Sequence, residues 1–96
     1  MIVKRIKVTN EKGLHARPST VLVKKATQFR SKLIIRKDEI EINGKSLLGV
    51  LTLAASYGTE LELVVDGIDE EEMIKELEIL FLNGFIDEKE NESSNG

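Results

Sequence analysis

The sequence predicts an α+β domain in which helices cover one face of an antiparallel sheet, in the order β-α-β-β-α-β-α. Three observations predict it. Three short segments alternate apolar and polar residues and a fourth is β-branched and apolar, as strands are. Three other segments repeat apolar residues at helical spacing. Two of the strand segments are separated by only Lys37-Asp38, so they pair as an antiparallel hairpin. A chain of 96 residues holds one small domain with a modest but sufficient core.

Taken in order, Ile2, Ile6 and Val8 alternate with polar neighbours as a half-buried strand, which ends in the turn Thr9-Asn10-Glu11-Lys12-Gly13. A helix follows from about Ala16 to Phe29, with Leu22, Ala26 and Phe29 on one face and Lys24, Lys25 and Gln28 on another. Lys32 to Arg36 and Glu39 to Asn43 form the hairpin, although Lys-Asp is a weak turn signal. Ser46 then opens a short apolar helix, Leu47 to Leu53, as a preferred N-cap residue. Tyr57-Gly58-Thr59 turns the chain into Glu60 to Asp66, where Leu61, Leu63 and Val65 alternate with polar residues. Asp69 and Glu72 make a D-x-x-E capping pattern for the last helix. Met73, Leu77 and Leu80 line its inner face, Gly84 ends it as a left-handed cap, and Phe85 folds back on the last turn. Residues 87–96 hold only polar and small residues, so a disordered acidic tail is expected there.

Composition excludes several function classes. There is no cysteine and one histidine, which argues against a disulfide framework, a cysteine-based zinc site and any transition-metal site. Met1 to Lys7 lacks the apolar stretch of a signal peptide, and no run is long enough to span a bilayer. The expectation is a soluble cytoplasmic protein with no membrane partner. Net charge is only −3, but residues 1–37 hold eleven Lys/Arg against the single acid Glu11. Such a basic third suits acidic protein partners or phosphate. Nucleic acid is disfavoured, because basic and aromatic residues do not interleave and the aromatics are only Tyr57 and three Phe.

The chemistry concentrates in Gly13-Leu14-His15-Ala16-Arg17-Pro18-Ser19-Thr20. Pro18 has no N–H and a φ already set for helix, so it belongs in a first helical turn. His15 therefore stands at or just before a helix N-terminus, where unpaired N–H groups and the positive dipole end attract anions. The Arg17 guanidinium adds planar donors suited to phosphate oxygens. A neutral imidazole is a nucleophile, and a positive setting favours the neutral ring and then stabilises a phosphoryl group carried on it. A lone histidine here would equally be a cap or merely exposed. Arg17 and Pro18 tip the reading to phosphoryl acceptance on His15.

The segment from Gly13 to Val23 resembles the active-site segment of HPr, the histidine-containing phosphocarrier family of the bacterial phosphoenolpyruvate-dependent sugar phosphotransferase system. A second segment, Asn43-Gly44-Lys45-Ser46-Leu47-Leu48-Gly49-Val50-Leu51-Thr52-Leu53, resembles the family's regulatory serine and short helix. The two stand at the family's usual spacing, and the likeness runs from about residue 1 to 86. The resemblance implies an open-faced β-sandwich, a four-stranded antiparallel sheet under three helices, forming an HPr-like phosphocarrier domain over 1–86. It further implies that His15 takes a phosphoryl group on Nδ1 from enzyme I and passes it to EIIA domains or proteins of sugar permeases. Such a carrier is stoichiometric, not an enzyme, needs no cofactor, and has the monomer as its default.

Ser46 is by its position a helix cap worth about 1 kcal/mol. The resemblance adds a regulatory phosphorylation by HPr kinase/phosphorylase, after which the protein serves a catabolite-control transcription factor as corepressor. It also assigns Leu47, Leu48 and Leu51 to a docking patch for enzyme I. A helix this short cannot hide every apolar residue, which leaves an exposed patch. Arg17, Thr20, Lys24 and Lys45 are the candidate polar contacts around it. Ser19 stands where alanine is common in the family, a change expected to matter little beyond the one extra hydroxyl it offers as a hydrogen-bond donor near the phosphate. Two alternatives stay open: a nitrogen-branch paralogue that relays phosphate to regulatory proteins, and a regulatory interaction module acting only through Ser46. A histidine phosphatase fits least, since no further acid/base cluster accompanies His15.

Overall fold

The structure, a computed structural model, describes residues 1–86, so the expected tail at 87–96 lies outside the described residues. Seven elements appear in the expected order: β1 (Ile2–Lys7), α1 (Ala16–Thr27), β2 (Lys32–Lys37), β3 (Ile40–Asn43), α2 (Leu47–Thr52), β4 (Glu60–Asp66) and α3 (Glu70–Leu82). The four strands form one antiparallel sheet in the order β1-β4-β2-β3. Period-two alternation sends Leu33, Ile35, Leu61, Leu63 and Val65 into one core with Leu22 and Ala26 of α1, Val50 of α2, and Met73, Leu77 and Phe81 of α3. The opposite face stays open and charged. There Arg36 bridges Glu41 at 2.8 Å and Glu62 at 3.0 Å across three strands.

Three local expectations shift. The first helix ends at Thr27 rather than Phe29, because the N–H groups of Gln28 and Phe29 already bond three residues back in a tightened last turn. The hairpin turns on Asp38-Glu39, with Lys37 opposite Ile40. Asp38 takes φ +55°, a conformation aspartate tolerates better than lysine. At the far end, Gly84 and Phe85 behave as expected: the Phe85 N–H bonds the Leu80 carbonyl at 2.7 Å and its ring stands edge-on to Phe81.

The D-x-x-E capping box does not form. Asp69 precedes α3 but makes no side-chain cap. Its carboxylate instead reaches across to the start of β2, accepting from the Arg30 and Ser31 N–H groups at 2.9 Å each and from the Ser31 hydroxyl. Glu70 takes over at the helix start, accepting from the Gly67 N–H at 3.1 Å and pairing with the Met1 ammonium at 3.0 Å. These bonds, the Ser31 hydroxyl first and the Arg30 N–H next, hold the Asp69 carboxyl down from its ordinary 3.8 to about 2.

A carboxyl depressed by folding lends stability above its unfolded pKa and loses it as pH falls through the folded value. Urea unfolding should therefore show wild type approaching Asp69→Asn in stability between about pH 4 and pH 2, with a constant advantage above about pH 5. Parallel pH profiles for the two proteins would refute the assignment.

Candidate functional site

The site is built on the loop from Thr9 to His15. The Gly13 N–H bonds the Asn10 carbonyl at 3.0 Å and the Asn10 amide returns a bond to the Gly13 carbonyl at 2.6 Å, which closes the turn. The Leu14 side chain is buried in the core, and its N–H donates to the Ala55 carbonyl at 2.8 Å. The Leu14 carbonyl accepts the Ser19 hydroxyl at 3.1 Å. Gly13 and Leu14, the two residues before His15, are both held by backbone hydrogen bonds.

His15 is the N-cap of α1, with extended backbone at φ −81°, ψ −168°. Its carbonyl accepts the Ser19 N–H at 3.1 Å, the first bond of the helix. Its imidazole is exposed and makes no hydrogen bond to any described residue. Pro18 is buried in the first turn as expected. Because Pro18 has no N–H, the Ala16 and Arg17 amides are the helical donors left facing outward, and neither meets a protein acceptor among the described residues. The exposed Arg17 guanidinium makes no ion pair among the described residues, nor does the exposed Lys24 ammonium. Two free amides, the positive end of a helix, a guanidinium and an unengaged imidazole thus belong to three consecutive residues, His15 to Arg17. Such a site can bind an oxyanion and place a ring nitrogen against its phosphorus.

Other candidates divide into two groups. Ser46 caps α2: its Oγ accepts the Gly49 N–H at 3.1 Å and its carbonyl accepts the Val50 N–H at 3.0 Å. Leu48, at 74 % exposed, Leu47 at 40 % and Leu51 at 38 % face solvent while Val50 enters the core, so the apolar patch is real. Thr20 is half-buried and its hydroxyl donates to the Ala16 carbonyl at 2.8 Å.

Two residues depart from expectation. Ser19 is fully buried and spends its hydroxyl on Leu14, so it cannot serve a phosphate. Lys45 is half-buried and donates to the Phe29 carbonyl at 2.7 Å, satisfying the C-terminal end of α1. It is not a free docking cation in this conformation.

That lysine also fixes the layout. Lys45, next to Ser46, reaches the Phe29 carbonyl just beyond the C-terminal end of α1, whereas His15 caps the N-terminal end of that helix. The other end of α2 returns to the His15 loop through Ala55. Sequence reading missed Ala55 and, behind it, Lys37, whose ammonium donates to the Leu53 carbonyl at 2.8 Å. Neither contact has a local sequence signal.

Comparison with known proteins decides the family. The family profile described as PTS HPr component phosphorylation site matches residues 2–83. The chain belongs to the HPr family. It is 46 % identical over 88 residues to the phosphocarrier protein HPr of Treponema pallidum, covering 92 % of this chain and all of that one. Among solved structures, HPr of Thermoanaerobacter tengcongensis superposes with TM-score 0.86 at 39 % identity, covering 88 % of this chain and 96 % of that one. The catabolite repression protein Crh of Bacillus subtilis, described as a domain-swapped dimer, matches with TM-score 0.68 at 34 % identity over 90 % and 98 % of the two chains. The family's four-stranded sheet and three helices are those of this HPr-family chain. Among its described residues, no helix is long and apolar enough to cross a membrane, and no group of His, Asp or Glu is arranged to hold a metal ion.

Proposed function

We propose that this HPr-family chain is a monomeric cytoplasmic phosphocarrier. His15 accepts a phosphoryl group from phospho-enzyme I and passes it to EIIA components of sugar permeases. The observation that carries the reading is the unengaged His15 imidazole beside the free Ala16 and Arg17 amides and the Arg17 guanidinium. The Nδ1 lone pair attacks phosphorus as the bond from phosphorus to the donor group breaks. The helix end and Arg17 spread the charge on the equatorial oxygens. An open helix end holds the product only moderately, which suits a group that must leave again. The chain turns over no substrate by itself, because the acceptor's geometry completes each transfer.

Enzyme I docks on the exposed patch of Leu47, Leu48 and Leu51, and Arg17, Thr20 and Lys24 supply its polar contacts. Regulation is proposed at Ser46 through HPr kinase/phosphorylase, with a catabolite-control transcription factor reading the phosphorylated form. The test is uptake of an acid-labile phosphate from phosphoenolpyruvate with enzyme I, then its transfer to EIIA. No uptake under conditions that charge a control HPr sinks the reading. Uptake with transfer only to regulatory proteins points to the nitrogen branch.

Likeness to Crh favours, as a second reading, a module acting only through Ser46. Labelling by ATP and HPr kinase without uptake from enzyme I would establish it. Ser46 variants separate cap from switch. Ser46→Ala should cost about 1 kcal/mol in urea unfolding and leave uptake unchanged. Ser46→Asp retains an N-cap oxygen, so its stability should hold while His15 charging slows, through a negative charge at the apolar patch. Equal charging rates for the two variants would remove Ser46 from the control of docking.

A further inference from the structure

We infer that Lys37 is a positioning residue for phosphoryl transfer: by holding the Leu53 carbonyl at the end of α2 it fixes Ala55, which holds the His15 loop. The inference rests on the carrier reading of His15. Six residues make α2 too short to be stable by itself, and it has no basic residue in its own last turn to meet its terminal carbonyls. Lys37, the last residue of β2, supplies the missing cation from across the fold, with its Nζ 2.8 Å from the Leu53 oxygen. A solvated surface lysine would not be half-buried with its ammonium on a backbone carbonyl.

The next residue carries the consequence. Ala54 stands at φ +48°, a left-handed conformation that a non-glycine residue keeps only where its surroundings impose it. Lys37 on one side and the Ala54 N–H bond to the Leu51 carbonyl on the other impose it here. The chain then presents the Ala55 carbonyl to the Leu14 N–H at 2.8 Å. Gly13 lies so close behind that a Cβ there would stand 2.8 Å from Ser56 Cα. Gly13 and Leu14 lead directly into His15. Any shift in Leu53 to Ser56 is therefore transmitted backbone to backbone to the imidazole, though Lys37 touches no reacting atom.

Lys37→Met keeps the aliphatic stem and removes the ammonium. Charging of His15 by phospho-enzyme I should fall on the order of tenfold, since misplacement by 1 Å can cost about a hundredfold. The His15 ring-proton resonances should shift, and the Leu14 amide should exchange about tenfold faster while Val3 and Val64 on the open sheet stay as in wild type. Lys37→Arg, which can reach the same carbonyl, should restore all three. If Lys37→Met does not fold, the same change beside Ala54→Gly provides a folded host, because glycine accepts φ +48° without strain. Wild-type charging, resonances and Leu14 exchange in Lys37→Met would overturn the inference, as would a loss that Lys37→Arg shares equally. Failure of wild type itself to be charged counts against the carrier reading alone. Resonances and exchange still decide the role of Lys37.

Discussion

His15→Ala should take up no measurable phosphoryl group from enzyme I and phosphoenolpyruvate, a loss of at least a thousandfold expected when the only nucleophile is removed. The same protein should fold as wild type. The His15 side chain makes no cap bond, and the helix start depends on its carbonyl, which alanine keeps. Stability should change by no more than about 0.5 kcal/mol. That separation is what distinguishes a nucleophile from a structural cap. Residual acid-labile label in His15→Ala would place the phosphoryl group elsewhere, and a large stability loss would give the imidazole a structural role that the structure does not contain.

Gly13→Ala should be the most damaging small substitution near the site, costing about 2–5 kcal/mol in urea unfolding. Two causes add. Gly13 stands at φ +70°, where a side chain is strained, and its Cβ would meet the Ala55 carbonyl oxygen and Ser56 Cα, both backbone atoms unable to step aside. Gly58 is the control. It has φ +85° but open space around it, so Gly58→Ala should cost only about 1 kcal/mol. Equal costs at the two positions would mean that conformation alone matters and that the contact between the His15 loop and residues 55–56 is loose.

What the sequence made legible was local. Period-two alternation at Leu61, Leu63 and Val65 and the helical spacing of Met73, Leu77 and Leu80 placed their elements, because burial imposes those periods. His15, Pro18 and Ser46 were legible for the same reason: N-cap chemistry is written within four residues. The misreadings of Asp69 and Lys45 involve a carboxylate and a long side chain whose partners are distant in the chain. Asp69 looked like a cap because its neighbours allow one, yet Ser31 lies nearer in space. Lys45 looked like a surface cation until Phe29 claimed its ammonium. Ser19 followed from helix geometry, since a residue one turn beyond the cap points at the core rather than at the anion.

The strand order has a consequence for how the chain is made. Ile2 pairs with Val65 and Lys7 with Glu60, so the first strand synthesised bonds to the last. At about 5–20 residues per second, that strand waits roughly 3–13 s for its partner to be translated. During that interval its backbone donors and acceptors are unsatisfied, and neighbouring nascent chains present the same segment. Lys4, Arg5 and Lys7 make the waiting strand repel its own copies, the protection charged residues give any unpaired edge. Once β4 arrives, Arg5 pairs with Glu60, and once α3 follows, Lys4 pairs with Glu78. The completed fold thus neutralises two of the three charges that guarded the nascent segment and leaves Lys7 on what remains an edge strand.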